Sequence, residues 1–486
     1  MKRFVTIAMA AVILLSGIMT AIGCTKVPDT PSGETTAPAS DSVAQGDVLP
    51  DVFYDGYEFR VGLSNPYGYD EVAPLFDEEE PFAAGSMDEA VYRRNERVKN
   101  AIGVTVAAHH VDDWQNMLDA IQTVVLSGED DFEAYCGSVY YQFQSSISNF
   151  LYDLKTISTM DLSRKWWDQE LADMYSLKSN HLYYIGGDIN YCDDYGQSVL
   201  FFNSTLMKEH QMETPYEDVR NGTWTLDRLL GYMKNFASDN GDSVWDENDT
   251  YGGVFTIGQL SIMLCGFGTT MIQCEGPGEL RLNESKPVFD QVSKIMDGIY
   301  SVNNQDVVIC ERVPWGYTAG TFQNGQALFT ASTIGAINSY RFEMAEGFDF
   351  GIVPYPKYSE EQAQYYCVFD TPWATAYSVM SHLTAENAAR AGIILEYMGS
   401  FSRDTVYQSA VETNAKTKSA RDDDTAEMID LVFKSKIYEI GLWPTKIYSA
   451  TNTMAARGVN SWAALIAANR DAVKAEYADV ASYYAD

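Results

Sequence analysis

Apolar residues recur with two alternating periods along the chain beyond residue 50. Residues 57–62 alternate between apolar and polar side chains, a period of two that is typical of β-strands, and the segment 104–108 is predicted as a second strand. Between them, residues 87–102 carry apolar side chains at helical spacing and Gly103 follows, which predicts a helix that ends there. The sequence therefore predicts an α/β body with a largely parallel sheet.

The same alternation continues to the end of the chain, without a repeat of solenoid period. The further elements that it predicts are a helix from 112 to Gly128, a strand at 132–135, a helix through 229–236, a strand at 348–354 and helices at 385–401 and 424–433.

The N-terminus has the pattern of an export signal. Lys2 and Arg3 precede an apolar run over 4–20, which is nearer the length of a signal peptide than of a membrane-spanning helix. The run ends in Ala21-Ile22-Gly23-Cys24, which resembles the lipobox of bacterial lipoproteins, although Leu is usual where Ala21 stands. We expect residues 1–23 to be a lipoprotein signal peptide and Cys24 to be lipidated; the alternative is an ordinary signal peptide.

Composition limits what the rest of the chain does. Residues 24–51 are rich in Thr, Pro, Ser, Ala, Gly and Asp, which is typical of a flexible linker. Removing residues 1–23 takes away two of the 33 basic residues and none of the 68 acidic ones, which leaves a net charge of −37. Such a surface repels phosphate backbones, so nucleic-acid binding is excluded, and it disfavours an anionic ligand.

Six cysteines remain besides Cys24, and they are scattered, with no CxxC pair and hence no zinc-ribbon spacing. Cys265 and Cys274 are close enough in sequence to bridge a hairpin. The alternative is that the cysteines are free and mostly buried.

Blocks of residues spread from about 55 to 450 are similar to the extracellular solute-binding proteins of bacterial carbohydrate ABC transporters, in their lipoprotein branch. They occur in one order: Tyr184-Ile185-Gly186-Gly187-Asp188 and Phe201-Phe202-Asn203, with others at 161–163, 166–168, 222–227, 322–327, 349–356 and 421–422. The resemblance implies a periplasmic-binding-protein-like α/β fold, with two lobes, a hinge and a ligand cleft between the lobes.

Carried onto this chain, the resemblance assigns 52–190 with 312–366 to lobe 1, and 196–310 with 373–486 to lobe 2. It places the crossings between the lobes near 190–199, 310–313 and 367–373. It also implies a carbohydrate ligand, most simply an oligosaccharide, and the permease of an ABC importer as partner. The chain would be a monomer, held by its lipid on the outer face of the cell membrane, and no cofactor is required.

Sugar binding takes polar groups for the hydroxyls and aromatic rings for the apolar face. Such residues lie after the predicted strand at 132–135, at the start of the first predicted crossing and at the end of the third, and Ser332 is predicted to face the cleft. The predicted ligand-binding residues are Tyr140, Tyr141, Asp188, Asn190, Tyr191, Tyr195, Ser332, Asp370 and Trp373. The alternatives are core packing for the aromatic residues and a turn or cap role for Asp188. For Trp166 and Trp167, anchoring the chain within lobe 1 is favoured over stacking on a ligand.

A loop at 238–249 resembles the calcium loops of EF-hands and dockerins. Its ligands would be Ser238, Asn240, Asp242, the carbonyl of Val244, Asp246 and Asp249. The loop departs from that pattern at Ser238, at Ser243 in place of the turn glycine, and in its final Asp in place of Glu. A structural calcium and an acidic surface hairpin remain equal alternatives.

The competing function is a secreted carbohydrate-active enzyme, a glycoside hydrolase or lyase. Many carboxylate pairs exist in so acidic a chain, but no GxSxG, HExxH or Walker motif is present, and no catalytic residue is assigned. An adhesin would fit the anchor but not the α/β alternation. The sequence therefore favours a binding protein over an enzyme.

Overall fold

The structure is a computed structural model that describes residues 48–63, 86–111, 116–129, 131–190, 192–313, 318–371, 374–411, 423–442 and 445–485. Two five-stranded sheets organise residues Leu49–Asp486, which form one compact unit. Their strands, in chain order, are β1 (Tyr57–Leu63), β2 (Val104–His110), β3 (Ala134–Ser138), β4 (Tyr184–Ile185), β5 (Ser198–Asn203), β6 (Tyr251–Phe255), β7 (Ile272–Cys274), β8 (Leu280–Leu282), β9 (Val307–Ile309), β10 (Ala327–Thr333), β11 (Phe350–Val353), β12 (Cys367–Val368), β13 (Thr375–Val379) and β14 (Lys436–Ile437).

Helices cover the sheets. In chain order they are α1 (Met87–Ile102), α2 (Met117–Ser127), α3 (Val139–Ser146), α4 (Gln169–Tyr175), α5 (Cys192–Tyr195), α6 (Ser204–Glu209), α7 (Tyr216–Arg220), α8 (Leu226–Phe236), α9 (Gln259–Gly266), α10 (Lys286–Ile295), α11 (Thr318–Gln323), α12 (Ala336–Glu343), α13 (Ala385–Ser402), α14 (Asp423–Phe433), α15 (Lys446–Arg457), α16 (Trp462–Glu476) and α17 (Val480–Tyr483).

The first sheet has the strand order β2-β1-β3-β13-β4. Strand β1 pairs in parallel with both β2 and β3, and α1 and α2 make the crossovers that parallel pairing requires. Strand β13 is antiparallel to its neighbours β3 and β4. We call this sheet, with the helices packed on it, the first lobe.

The second sheet has the order β11-β5-β10-β6-β9. Strands β6, β9 and β10 run parallel to one another, whereas β5 is antiparallel to both β10 and β11. Its strands are buried almost throughout, as expected of a sheet with helices on both faces. This sheet with its helices is the second lobe, and the pair β12–β14 and the hairpin β7–β8 lie outside both sheets.

The local predictions agree well with the structure where end signals are strong. Helix α1 has the predicted bounds, because Ser86 caps its first turn, accepting a hydrogen bond from the Glu89 N–H at 3.1 Å, and Gly103 ends it at φ 71°. Gly128 ends α2 in the same left-handed conformation. The strand predicted at 132–135 begins instead at Ala134 and continues to Ser138.

The predicted allocation of strands to lobes is wrong in the second half of the chain. Strands β10 and β11, within the segment 312–366 assigned to lobe 1, pair in the second sheet, and β13 returns to the first sheet rather than to lobe 2. The crossing predicted at 310–313 is also wrong, because β9 and β10 on either side of it lie in the same sheet. Periodicity identifies a strand but not its partner, and the partner decides the lobe.

The connection near residue 190 passes from the first sheet to the second, as predicted, whereas the connection near residue 370 passes between the sheets in the direction opposite to the predicted one. The chain leaves the first sheet after β4 and enters the second at β5, and it returns between β11 and β13. We call residues 186–197 the first crossing and 354–374 the second crossing. After β13 the chain passes once more towards the second lobe, because α13 packs on α1 while α14 packs on β11.

Candidate functional site

The carboxyl ends of the parallel strands point to the place where the sheets are connected. In the first lobe, β3 ends at Ser138, which faces Thr375 at the start of β13. In the second lobe, β10 ends at Thr333, which faces Ser198 at the start of β5. Each crossing therefore joins the carboxyl edge of one sheet to that of the other, which is where ligands bind in open α/β sheets.

The two crossings run side by side. Gln197 and Phe369 form an antiparallel bridge, and the Asp370 N–H donates to the Gly196 carbonyl at 3.0 Å. Strand β14 lies on the other side of the second crossing, where the Phe369 N–H donates to the Ile437 carbonyl at 2.9 Å. These backbone contacts bring side chains from three distant parts of the chain together.

Three acids in or beside the first crossing have a basic partner. Lys436 Nζ, on β14, lies 3.1 Å from Asp168 Oδ2 and 2.9 Å from Asp194 Oδ1. Asp188 Oδ2 is 2.9 Å from Arg403 Nη1, just beyond α13. We call these five residues the paired acid cluster; they line a cavity of about 320 Å³ together with Trp166 and Trp167.

The pKa values of this cluster reflect burial working against the basic partners. Burial raises the pKa of Asp188 to about 6, with Arg403 opposing the change and the charge of Asp194 adding to it. Burial also acts to raise the pKa of Asp168, but Lys436 and the Tyr438 hydroxyl outweigh it, so that this pKa lies below its usual value. The network stabilises the charged form of Asp168 more than that of Asp188.

Asp370, on the second crossing, is in a different situation. Its carboxyl is partly buried, and among the residues that the structure describes none donates a hydrogen bond or an ion pair to it. Burial alone raises the pKa of Asp370 to about 7. A carboxyl without a partner at the junction of two lobes is available to a ligand.

Tyr355, at the start of the second crossing, and Tyr448, on α15, lie close enough to Asp370 to feel its charge. Burial raises the pKa of the Tyr448 hydroxyl to about 12, and the charge of Asp370 is the next largest cause. Tyr355, which follows β11, has its pKa raised by burial and in part by Asp370, and its hydroxyl donates to Gln259 Oε1. The Tyr448 hydroxyl sits over Gly258, where a Cβ would be only 2.5 Å away.

Glu311, just beyond β9, closes the same edge of the second sheet, since its Oε2 accepts from the Ile257 N–H at 3.0 Å. Tyr355, Tyr448, Gln259 and Glu311 were not predicted from the sequence. The signal that points to Gln259 and Glu311 is their position directly after strands β6 and β9, at carboxyl ends that become neighbours only in the folded sheet.

Tyr140 and Tyr141 are where the sequence placed them, directly after β3. Their rings pack edge to face with centroids 5.0 Å apart, and the Tyr140 N–H donates to the Thr371 carbonyl at 3.3 Å. Tyr140 is thus held next to Asp370. It also borders a cavity of about 130 Å³ that reaches Thr445, Glu476 and Tyr477 of the opposite lobe.

Three other predicted site residues have a structural partner. The Asn190 amide is buried and donates to the Thr375 carbonyl at 2.7 Å. The Tyr195 hydroxyl donates to the Ala410 carbonyl at 3.0 Å. Ser332 is half-buried within β10 opposite Val199, near the carboxyl edge.

Cys24, Tyr191 and Trp373 lie outside the described residues.

Trp166 and Trp167 anchor the chain within the first lobe, the interpretation that the sequence favoured. Both are buried, and their indole N–H groups donate to Glu396 of α13 at 3.0 and 3.3 Å. Glu396 also accepts from the Asp161 N–H at 2.6 Å.

The thiols of Cys265 and Cys274 are free, so the hairpin bridge is not formed.

Carboxylates of the loop at 238–249 accept hydrogen bonds from backbone N–H groups of the same loop. Asp249 accepts from the Asn240 and Asp246 N–H groups, both at 2.7 Å, and Asp242 accepts from the Val244 N–H at 2.8 Å. Within the described ranges, no three acidic, histidine or cysteine side chains converge as metal ligands. Ser238 forms a backbone bridge with Thr250. Calcium binding here stays a prediction.

None of the protein-family models matches the sequence, and no curated protein matches it. Solved structures do match the fold. An ABC substrate-binding protein from Listeria monocytogenes in complex with cycloalternan is 13% identical, with a TM-score of 0.56, covering 87% of this chain and all of the other. A cyclo/maltodextrin-binding protein complexed with maltotetraose is 12% identical, with a TM-score of 0.53, covering 91% and 98%.

A family 1 extracellular solute-binding protein from Bifidobacterium longum subsp. infantis is 15% identical, with a TM-score of 0.52, covering 88% of this chain and all of the other. The three are binding proteins, and the coverage spans both sheets. The predicted fold class, two α/β lobes of the periplasmic-binding-protein kind, is confirmed.

Among the helices of the described residues, none is long and apolar enough to cross a membrane.

Proposed function

We propose that this chain is an exported solute-binding protein that captures a carbohydrate, in particular an oligosaccharide, between its two lobes and delivers it to the permease of an ABC importer. The observation that carries the proposal is the unpaired carboxyl of Asp370, held among tyrosines where the carboxyl edges of both sheets meet. The shared fold with sugar-binding proteins supports it.

The chemistry of this junction suits a sugar. Tyr140 of the first lobe and Tyr448 of the second offer a ring face and a hydroxyl each, and both are only partly buried. Asp370 between them can accept hydrogen bonds from two hydroxyls, and Ser332 at the edge of the second sheet leaves room for a ring. Asn190 and Tyr195 contribute by holding the first crossing in place.

Capture requires that the lobes close on the ligand. Both crossings lie outside the two sheets, so rotation about them changes the distance between Tyr140 and Tyr448 without unfolding either sheet. The paired acid cluster fixes the first crossing to β14 and α13, which leaves the second crossing to meet the ligand. We place Tyr191 and Trp373 among the contacts on account of their positions in the two crossings.

Export and anchoring complete the proposal. Signal cleavage before Cys24 and lipidation of that residue would hold the protein on the outer face of the membrane, and the linker 24–51 would let the lobes reach the permease. The protein would act as a monomer. Turnover is not part of this function, and a calcium ion at the loop 238–249, where the sequence left its binding open, would affect stability rather than capture.

Isothermal titration calorimetry against a panel of oligosaccharides, with analysis of the recovered sugar, tests the proposal. We expect one site of micromolar affinity, intact sugar afterwards, and weaker binding by Tyr140→Ala and Tyr448→Phe. Asp471→Asn, on the exposed face of α16, is the matched surface control. Cleaved sugar would favour the hydrolase or lyase alternative, and no binding to any sugar would refute carbohydrate capture.

The anchor is tested separately by metabolic labelling with a palmitate analogue. We expect label on the wild-type protein and none on Cys24→Ser. Label that persists in Cys24→Ser would place the lipid elsewhere, and an unlabelled, secreted wild-type protein would favour an ordinary signal peptide.

A further inference from the structure

The acids of the crossing region fall into two groups by their partners. Asp168 and Asp194 share Lys436, and Asp188 pairs with Arg403. Asp370 lies on the neighbouring segment, and no basic side chain in the described part of the chain pairs with it. Of these four carboxylates, three are thus neutralised by side chains of the protein, and that of Asp370 is left to be neutralised from outside.

Among the described residues, the side chains that the charge of Asp370 reaches cannot neutralise it. They are the phenols of Tyr355 and Tyr448, and Tyr448 also feels a second negative charge, that of Glu311. Arg312 follows Glu311 in sequence, but the electrostatic partner of its guanidinium is Tyr300. Among the described residues, the junction therefore presents a carboxylate that is flanked by aromatic rings and a further acid.

Such a site discriminates among ligands by charge. A neutral hydroxyl leaves the carboxylate charge of Asp370 uncompensated in a partly desolvated place, whereas an ammonium group compensates it through a charge-assisted hydrogen bond. Tyrosine rings add cation–π attraction for the same ammonium. The charge of −35 on the whole chain raises the local concentration of cations in addition.

We propose that the captured oligosaccharide carries a protonated amine, as an amino sugar does, and that Asp370 is the carboxylate that recognises it. This inference rests on the proposed function and narrows its substrate class. The amine lies against the Asp370 carboxyl, with Tyr448 beside it, and the neutral rings of the sugar extend towards Tyr140.

The test compares matched sugars in calorimetry at pH 7. Each oligosaccharide that binds the wild-type protein is titrated beside its 2-amino and 2-acetamido counterparts of the same length and linkage. We expect the amine form to bind at least tenfold more tightly than either neutral form. Asp370→Asn should bind all three forms within about twofold of one another, whereas Asp471→Asn should retain the wild-type preference.

Proton release provides a second readout that needs no variant. Because an ammonium lowers the pKa of the carboxyl that it pairs with, binding of the amine form should release protons from Asp370 at pH 7. Titration in two buffers of different ionisation enthalpy measures this release. The 2-acetamido form should release fewer protons than the amine form.

The outcomes separate this inference from the proposed function. If neutral sugars bind as tightly as the amine form, or if Asp370→Asn keeps the preference, the inference is wrong and carbohydrate capture stands. If no sugar of any form binds, both are wrong. A melting curve of Asp370→Asn that matches or exceeds that of the wild type shows that the variant is folded.

Discussion

The two crossings carry acids of the same type in opposite situations. On the first, Asp188 and Asp194 are held by Arg403 and Lys436 in a network that joins α13, β14 and the first lobe. On the second, Asp370 has a backbone position fixed by Gly196 and a carboxyl that no described residue engages. The difference distinguishes carboxylates that build the junction from one that is left for a ligand.

The comparison also separates two explanations of an elevated pKa. The pKa values of Asp188 and Asp370 are raised to about 6 and about 7, in both cases mainly by burial. For Asp188 a nearby arginine limits the rise, whereas for Asp370 no described residue opposes it. An elevated pKa alone therefore does not identify a binding group, and the absence of a partner at the junction is what marks Asp370.

Removing Lys436 should have the largest effect on stability. In Lys436→Met, Asp168 and Asp194 lose their shared cation although both are almost fully buried, so we expect a loss of about 3 kcal/mol in the free energy of unfolding. Urea denaturation measures the loss. Lys434→Met, two residues earlier and exposed, is the matched control and should change stability by less than about 0.5 kcal/mol. Equal losses in the two variants would mean that the network does not stabilise the crossings.

Asp370→Asn should have a smaller effect of the opposite sign. The folded pKa of Asp370, about 7, lies above the unfolded value near 3.9, so its contribution to stability is present below pH 4 and is lost as the pH rises through 7. Without ligand, the advantage of the variant over the wild type in the free energy of unfolding should grow by roughly 2 kcal/mol between pH 5 and pH 8.

Urea curves at the two pH values provide this difference. Asp188 and Glu439, whose pKa values are also raised by burial, are present in both proteins, so their titration cancels in the comparison. A variant that is less stable than the wild type at pH 8 would show that the Asp370 carboxylate has a stabilising partner.

Asp188→Asn should change the free energy of unfolding less than Lys436→Met or Asp370→Asn does. The charged form of Asp188 is disfavoured by burial, and the side chain of its partner Arg403 is 43% exposed, so the neutral amide should cost less than about 1 kcal/mol. Sugar affinity should also fall less than in Asp370→Asn. A larger loss of affinity in Asp188→Asn would reverse the comparison and restore Asp188 as a principal ligand contact.

Calcium should have the smallest effect. Because the carboxylates of the loop at 238–249 already accept hydrogen bonds from its own backbone, we expect EDTA to leave the melting temperature unchanged. Thermal shift with 1 mM calcium (about the concentration that weak extracellular sites need) and with EDTA provides the check. An increase of several degrees with calcium would establish the metal site.

Much of the fold was readable from local signals. Helix α1 was predicted with its observed bounds because Ser86 and Gly103 mark its ends within the chain itself. The lobe of β10, β11 and β13 was not, because a strand's sheet depends on a distant partner that periodicity does not encode.

The residues of the candidate site also fall into those that local sequence position predicts and those that only the folded structure reveals. Asp370 and Tyr140 were predicted from their place in a crossing and after a strand, both of which are positions along the sequence. Tyr448 and Tyr355 were missed, because only the packing of α15 and of the segment after β11 brings them to Asp370. The roles of Asp188 and Asn190 depended likewise on Arg403 and Thr375, which lie 215 and 185 residues away in the chain.

The most direct test of sugar capture at the junction is a crystal structure of the protein with the oligosaccharide that binds it most tightly. We predict a sugar ring between the two lobes, with one of its polar groups within hydrogen-bond distance of the Asp370 carboxyl and the paired acid cluster unchanged. A sugar bound elsewhere, with Asp370 still free of contacts, would contradict the account.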